Sequence, residues 1–197
     1  MTSGVPDTPH QIRFIYWIAI ALVLFGTGLA LGTIIEDTIL SEYIDSVFGS
    51  FLSIEDTGIV LETFTVTLMI FILVKNVIAL CSSFVLAPFF GLLPVFSLVL
   101  NGAIISYVGS GVVAEESLGY FLSGILPHGI IELPAFLIGQ AAALSFAFAA
   151  VYAFFTRDRN KLLMPAFKHN GKIVAVMLGL MIPAAAIEAF VTPRFIG

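Results

Sequence analysis

An all-α, polytopic transmembrane helical bundle is predicted by three observations. The 197-residue chain is 59% hydrophobic and only 11% charged, where a soluble domain carries about 25% charged residues. Its mean hydropathy is +1.10. Its apolar residues gather into runs of about 20 or more, the length that a hydrocarbon core about 30 Å thick demands of a helix. The reading is a single membrane domain over 1–197, with about five spans, one broken or re-entrant half-helix and one interfacial amphipathic helix.

The first span is placed at 12–35. Gly28 and Gly32 give it a small-xxx-small face suited to close helix packing. Its apolar run is too long for a signal-peptide core and lacks a small-x-small exit, so no cleavage is expected. Residues 36–62 hold seven acids and no base. Within them Ile39/Leu40, Tyr43/Ile44, Val47/Phe48 and Phe51/Leu52 recur every four residues, which reads as an amphipathic helix lying in the membrane interface. Asp56 or Thr57 would cap the start of the second span. That span, 63–86, carries Lys75 and Asn76 at its middle. Pro88 and Gly91 mark a tight turn. The third span, 92–113, carries Asn101-Gly102. Glu115 and Glu116 come after it, with Tyr120 where an E-E-x-x-x-R protease motif would need arginine.

The next apolar run, 118–155, would form a helix about 57 Å long, roughly twice the core. Pro127, Gly129 and Pro134 interrupt it. A half-helix at 118–126 and then a span at 130–154 are therefore expected. Irregular backbone at that depth is tolerated where it is buried in protein or lines a wet cavity. The loop 156–172 sets Arg157, Arg159, Lys161, Lys168 and Lys172 against Asp158 alone. The last span is placed at 173–191.

Charge then orients the chain. Basic loops stay in the cytoplasm, so five spans put the N-terminus inside and the acidic 36–62 segment and the C-terminus outside, in a multi-pass plasma-membrane protein. The net charge of −5, with acid and base in separate loops, offers nothing to nucleic acid. Cys81, the one cysteine, excludes an intramolecular disulfide and reads as a small buried hydrophobe.

Ionisable and amide groups at membrane depth are the default functional candidates. His128 and Glu132 lie four apart and share a helix face. At about 1.5 Å per residue, Lys75 falls about 18 Å below the outer side, His128 and Glu132 about 10–16 Å below it, Asn101 about 15 Å above the inner side and Glu188 about 23 Å above it. These depths overlap in the outer half of the bilayer. Lys75, Asn76, Asn101, His128, Glu132, Gln140 and Glu188 are therefore read as one candidate polar cluster. Asn76 and Asn101 also fit interhelical hydrogen bonding, Gln140 fits packing glue, and Lys75 fits a partner for a buried acid. An imidazole and a carboxylate at this spacing can face one divalent cation such as zinc, with His128, Glu132 and Glu188 as ligands. The alternatives are a proton path and a structural hydrogen-bonded knot.

PHGIIELP at 127–134, Asn101-Gly102, Lys75-Asn76 and AAAIEAFVTP at 184–193 together resemble the stage II sporulation protein M family of membrane proteins. The resemblance covers the chain from the first span to Pro193. It implies a compact multi-span bundle in which Asn76, Asn101, His128, Glu132 and Glu188 match the family's polar positions. In spore formers, the namesake is similar to a membrane anchor for a peptidoglycan-degrading engulfment machine.

Three functions compete. The leading expectation is a small proton or cation transporter, built on a broken helix beside ionisable groups and helped by homodimerisation. The second is a non-catalytic scaffold for partner proteins in a membrane complex. The third is an intramembrane metal-dependent hydrolase, with His128 and Glu188 on the metal and Glu132 as general base. Its ligand count is thin, and the balance leans away from an enzyme.

Overall fold

A computed structural model describes residues 14–34, 63–156 and 159–196. They form α1 (Phe14–Gly32), α2 (Val66–Val85), α3 (Leu92–Glu115), α4 (Leu118–Phe154), α5 (Arg159–Phe190) and the short α6 (Pro193–Ile196), with no strand among the described residues. The first five helices are long and apolar enough to cross a membrane. The amphipathic helix expected in 36–62, its Asp56 or Thr57 cap, and Arg157 with Asp158 lie outside the described residues.

α4 is the centre of the bundle and touches every other described helix. Its middle is rich in small residues. Ala135, Gly139, Ala141, Ala142, Ala143, Ala147 and Ala149 are all buried. Lipid tails give apolar side chains no reason to prefer protein, so helices associate through close van der Waals packing, which small residues permit. At Gly139 the approach is tight: an added Cβ would sit 2.7 Å from Leu80 Cδ1 on α2.

α1 packs on α3 by the same means. A Cβ on Gly28 would overlap the Val99 carbonyl, one on Gly32 the Ala103 carbonyl, and one on Gly102 the Phe25 carbonyl. Contacts that rise together along both helices make α1 and α3 parallel. α2 returns between them and runs antiparallel to α5: the Phe64 N–H donates to the Ala189 carbonyl at 3.1 Å, and Ile72 packs with Ala185 and Ala189. The Phe90-Gly91 turn joins α2 to α3 with both residues at positive φ, 57° and 67°. Rings of Phe84, Phe146 and Phe167 meet at 5.0–5.7 Å and tie α2, α4 and α5 together at the same end.

Two segments differ from the sequence expectation. The break expected at Pro127-His128-Gly129 is absent, and half-helix 118–126 and span 130–154 are one continuous helix of 37 residues. Proline removes one backbone hydrogen bond, a loss that packed neighbours tolerate at membrane depth. Ser117 sets the start of this helix, its Oγ accepting from the Tyr120 N–H at 3.1 Å. The basic segment 156–172 is mostly helix as well, because α5 begins at Arg159. Leu163, Met164 and Phe167 recur at helical spacing there, and Leu163 packs against the core. The cap of α2 is Thr65, whose Oγ1 accepts from the Leu68 N–H at 3.2 Å.

Gly28→Ala will lower the detergent melting temperature, by the equivalent of about 1–3 kcal/mol for overpacking, because backbone rather than a side chain blocks the new methyl. Gly26→Ala is the control: nothing lies within 4 Å of its Cβ position, so melting will hold or rise. Equal losses for both would show that the α1–α3 contact is not what the glycine serves.

Candidate functional site

The spacing of α4 places His128 and Glu132 one turn apart, and antiparallel α5 brings Glu188 beside them. One ligand atom from each of the three lies within 4.8 Å of the others, and all three residues are half-buried. Ile72 sits level with Ala185 and Ala189, and Asn76 reaches Glu132. The site therefore lies some 6–10 residues, about 9–15 Å, in from the Val66 end of α2.

Glu132 and His128 are each held by a neighbouring side chain. Asn76 Nδ2 donates to Glu132 Oε1 at 3.0 Å. Thr192 Oγ1 contacts His128 Nδ1 at 3.2 Å and donates to the Ile187 carbonyl at 3.4 Å. The contact engages Nδ1 and leaves Nε2 as the other ring nitrogen, and the tautomer of the ring sets which partner donates. The Thr192 N–H also closes on the Ile187 carbonyl at 2.9 Å, which fixes the threonine at the end of α5.

The electrostatics ask for positive charge. Glu132 Oε2 is buried without a hydrogen-bond partner among the described residues. Two carboxylates within 4.8 Å of each other repel by at least about 3.5 kcal/mol when both are charged, at an effective dielectric constant of about 20. A proton or a cation between them offsets both deficits. A cavity of about 70 Å³ adjoins the site, lined on its polar side by Asn76, Asn101 and Glu132 and closed by Phe136 and Met181. At about 30 Å³ per water, it holds roughly two.

The remaining residues of the expected cluster divide. Asn101 shares the cavity, but its Nδ2 donates to the Ser97 carbonyl of its own helix at 2.7 Å. Gln140 forms a separate knot two turns deeper, its Nε2 donating to Ser83 Oγ at 3.1 Å and Ser97 Oγ at 3.0 Å. Lys75 is exposed on α2, close enough for its charge to act on Glu132. Thr192, Ser83 and Ser97 were missed by the sequence reading. The spacing Glu188-x-x-x-Thr192 was a signal for the first.

A family model described as stage II sporulation protein M matches residues 18–193. The chain belongs to the stage II sporulation protein M family. A protein of Methanocaldococcus jannaschii described as uncharacterized is 27% identical over 185 residues, covering 90% of this chain and 94% of its own. No solved structure matches. The family and an all-helical architecture with five long apolar helices agree with the sequence expectation.

Asn76→Ala will destabilise the protein by about 1–3 kcal/mol, the cost of leaving a buried acceptor unpaired. Asn101→Ala will cost less, since its donor only caps its own helix. Melting curves in one detergent decide this; the reverse order would place the structural bond at Asn101.

Proposed function

We propose that this chain is a small membrane cation carrier whose cargo, a proton or a divalent metal ion such as zinc, is taken up at His128, Glu132 and Glu188. Glu132 supports the reading most directly. Asn76 holds one of its oxygens, and the other is buried, unpartnered and set within a nitrogen-and-carboxylate group no wider than 4.8 Å. A half-paired carboxylate at membrane depth is expensive. A proton or metal completes it, and imidazole with carboxylates suits zinc. The small cavity lined by Asn76, Asn101 and Glu132 borders the same residue.

The basic residues orient this reading. Arg159, Lys161, Lys168 and Lys172 lie in the first half of α5, which favours the cytoplasm for that end. Five spans then leave the N-terminus inside and the C-terminus outside, with the site in the outer half of the membrane. Hydrolysis is less well supported. Glu132 acting as general base leaves His128 and Glu188 to hold a metal, fewer than the three protein ligands usual for catalytic zinc. The scaffold reading draws on the Gln140 knot, which fixes helix register without any ligand.

Lys75 has a role in the carrier. It is the tenth of the twenty residues of α2 and is exposed beside Val74 and Ile78. An ammonium at that depth costs about 2.5–3.5 kcal/mol on insertion scales. In this proposal it is the tethered counter-ion of the empty site, offsetting the two carboxylates until cargo displaces it.

Zinc entry into vesicles carrying a trapped zinc dye tests the proposal, with a pH dye in zinc-free vesicles as the proton arm. Wild type will move one of the two ions, and Glu132→Gln and Glu188→Gln will abolish the movement. Movement of neither ion by the folded wild type would pass the lead to the scaffold reading. If zinc is the cargo, Thr192→Val will weaken its binding about 10–100-fold, as loss of an orienting hydrogen bond does. Lys75→Met will tighten cation binding and lower the melting temperature of the ion-free protein, while Lys75→Arg will change both less. Unaltered affinity in Lys75→Met would remove the counter-ion role.

A further inference from the structure

Away from the cation site, at the opposite end of the bundle, an apolar groove of about 630 Å³ runs between the α2–α3 turn, the end of α4 and the start of α5. Phe90, Phe146, Phe154, Phe155, Met164 and Phe167 form its walls. This volume lies in the range of ligand pockets. Phe90 is 76% exposed and Phe155 is 78% exposed, so the groove presents bare aromatic surface. Its edge is charged. The Arg159 guanidinium stands over the Phe154 ring, 5.4 Å from its centroid, at one side of the groove. Lys168, exposed and four residues beyond the groove residue Met164, shares its face of α5. Lys172 continues that face.

We propose that this groove binds an anionic phospholipid, one acyl chain lying along the aromatic walls and the phosphate held by Arg159 and Lys168. Charge complementarity selects this occupant. A neutral lipid or an apolar helix would fill the groove but leave the flanking cations unanswered, whereas basic clusters just beyond a transmembrane helix attract anionic headgroups. Depth agrees with it. Phe84, Phe146 and Phe167 form one layer, and Phe84 lies one residue before the end of α2. With Val66 at the far boundary, that layer is about 27 Å away, at the edge of a hydrocarbon core about 30 Å thick. The groove therefore opens where chains meet headgroups. Guanidinium donors suit a phosphate.

The test uses the full-length protein, stripped of lipid in a neutral detergent. Phosphatidylglycerol or phosphatidylcholine with identical chains is added, and melting temperature and native-mass adducts are read. Phosphatidylglycerol is expected to raise melting by a few degrees and to remain as a one-to-one adduct, with phosphatidylcholine doing neither. Arg159→Gln with Lys168→Gln, both on the surface, will remove the preference for phosphatidylglycerol. Ala150→Trp, which fills the groove, will remove the adduct while helical circular dichroism is retained. Equal responses to the two lipids, or an adduct that survives both variants, would overturn the proposal. So would a lipid-insensitive dimer lost in Ala150→Trp, which would assign the groove to a second copy. Inorganic phosphate at millimolar concentration should not substitute; stabilisation by phosphate alone would make this a plain anion site.

Discussion

Close approach to α4 is the constraint on which the rest of the structure depends. In hydrocarbon, no solvent entropy drives apolar helices together, so affinity comes from contact. α4 supplies contact by keeping its middle small. Gly139 lets Leu80 of α2 sit against its backbone, and Ala135, Ala142, Ala143 and Ala147 join Met177 and Met181 of α5 in one buried cluster. With α2 and α5 both drawn onto α4, Asn76 and Glu188 are placed at Glu132 from opposite sides. The polar site is thus a product of the packing rather than its cause. A bulky residue in the alanine run would separate Asn76 from Glu132 before it touched either.

The buried polar groups then fall into two kinds. Around Gln140, an amide donor meets two serine hydroxyls, and the charge is zero throughout. Leaving its Oε1 unpartnered costs the desolvation of a neutral acceptor. Around Glu132, the orphan oxygen belongs to an acid with a second acid beside it, and the unmet demand is electrostatic. A neutral orphan can wait for a water. Two facing carboxylates call for positive charge, and the candidate among the described residues, Lys75, is exposed and acts on them as a counter-ion at a distance rather than as a bonded partner. That difference separates a register-fixing knot from the site at which a cation is proposed.

Much of this was legible in the sequence because the membrane restricts the solutions. Apolar run length gave the spans, helical spacing put His128 and Glu132 on one face, and depth arithmetic brought Glu188 to their level. What stayed hidden depends on tertiary neighbours. Pro127 and Pro134 look like a break when read alone, yet the helix runs on through both and tolerates the loss of two backbone bonds. The charges of 156–172 read as a loop, but Leu163, Met164 and Phe167 share a face that packing against α4 rewards. Gln140 stands two turns along α4 from Glu132 and so outside the cluster it was grouped with, whereas the outward turn of Lys75 depends on rotation about the helix axis, which depth does not show. Thr192 escaped because an orienting residue matters only once the ring it orients has been placed.

The width of the donor set bears on what the site can do. Tetrahedral zinc with bonds of about 2.0–2.1 Å holds its ligand atoms about 3.3 Å apart, whereas the three donors here spread to 4.8 Å. Closing on an ion takes side-chain rotation, chiefly of Glu188, for which no orienting bond comparable to those on Glu132 and His128 is present among the described residues. Two ligands are thus preset by Asn76 and Thr192, and one is left to move. A permanent structural centre gains from fixing all of its ligands. Conduction requires binding strong enough to admit an ion and weak enough to release it. The proposed carrier would be served by an arm that can let go, and Glu188, near the end of α5, is the one of the three ligands left without an orienting bond among the described residues.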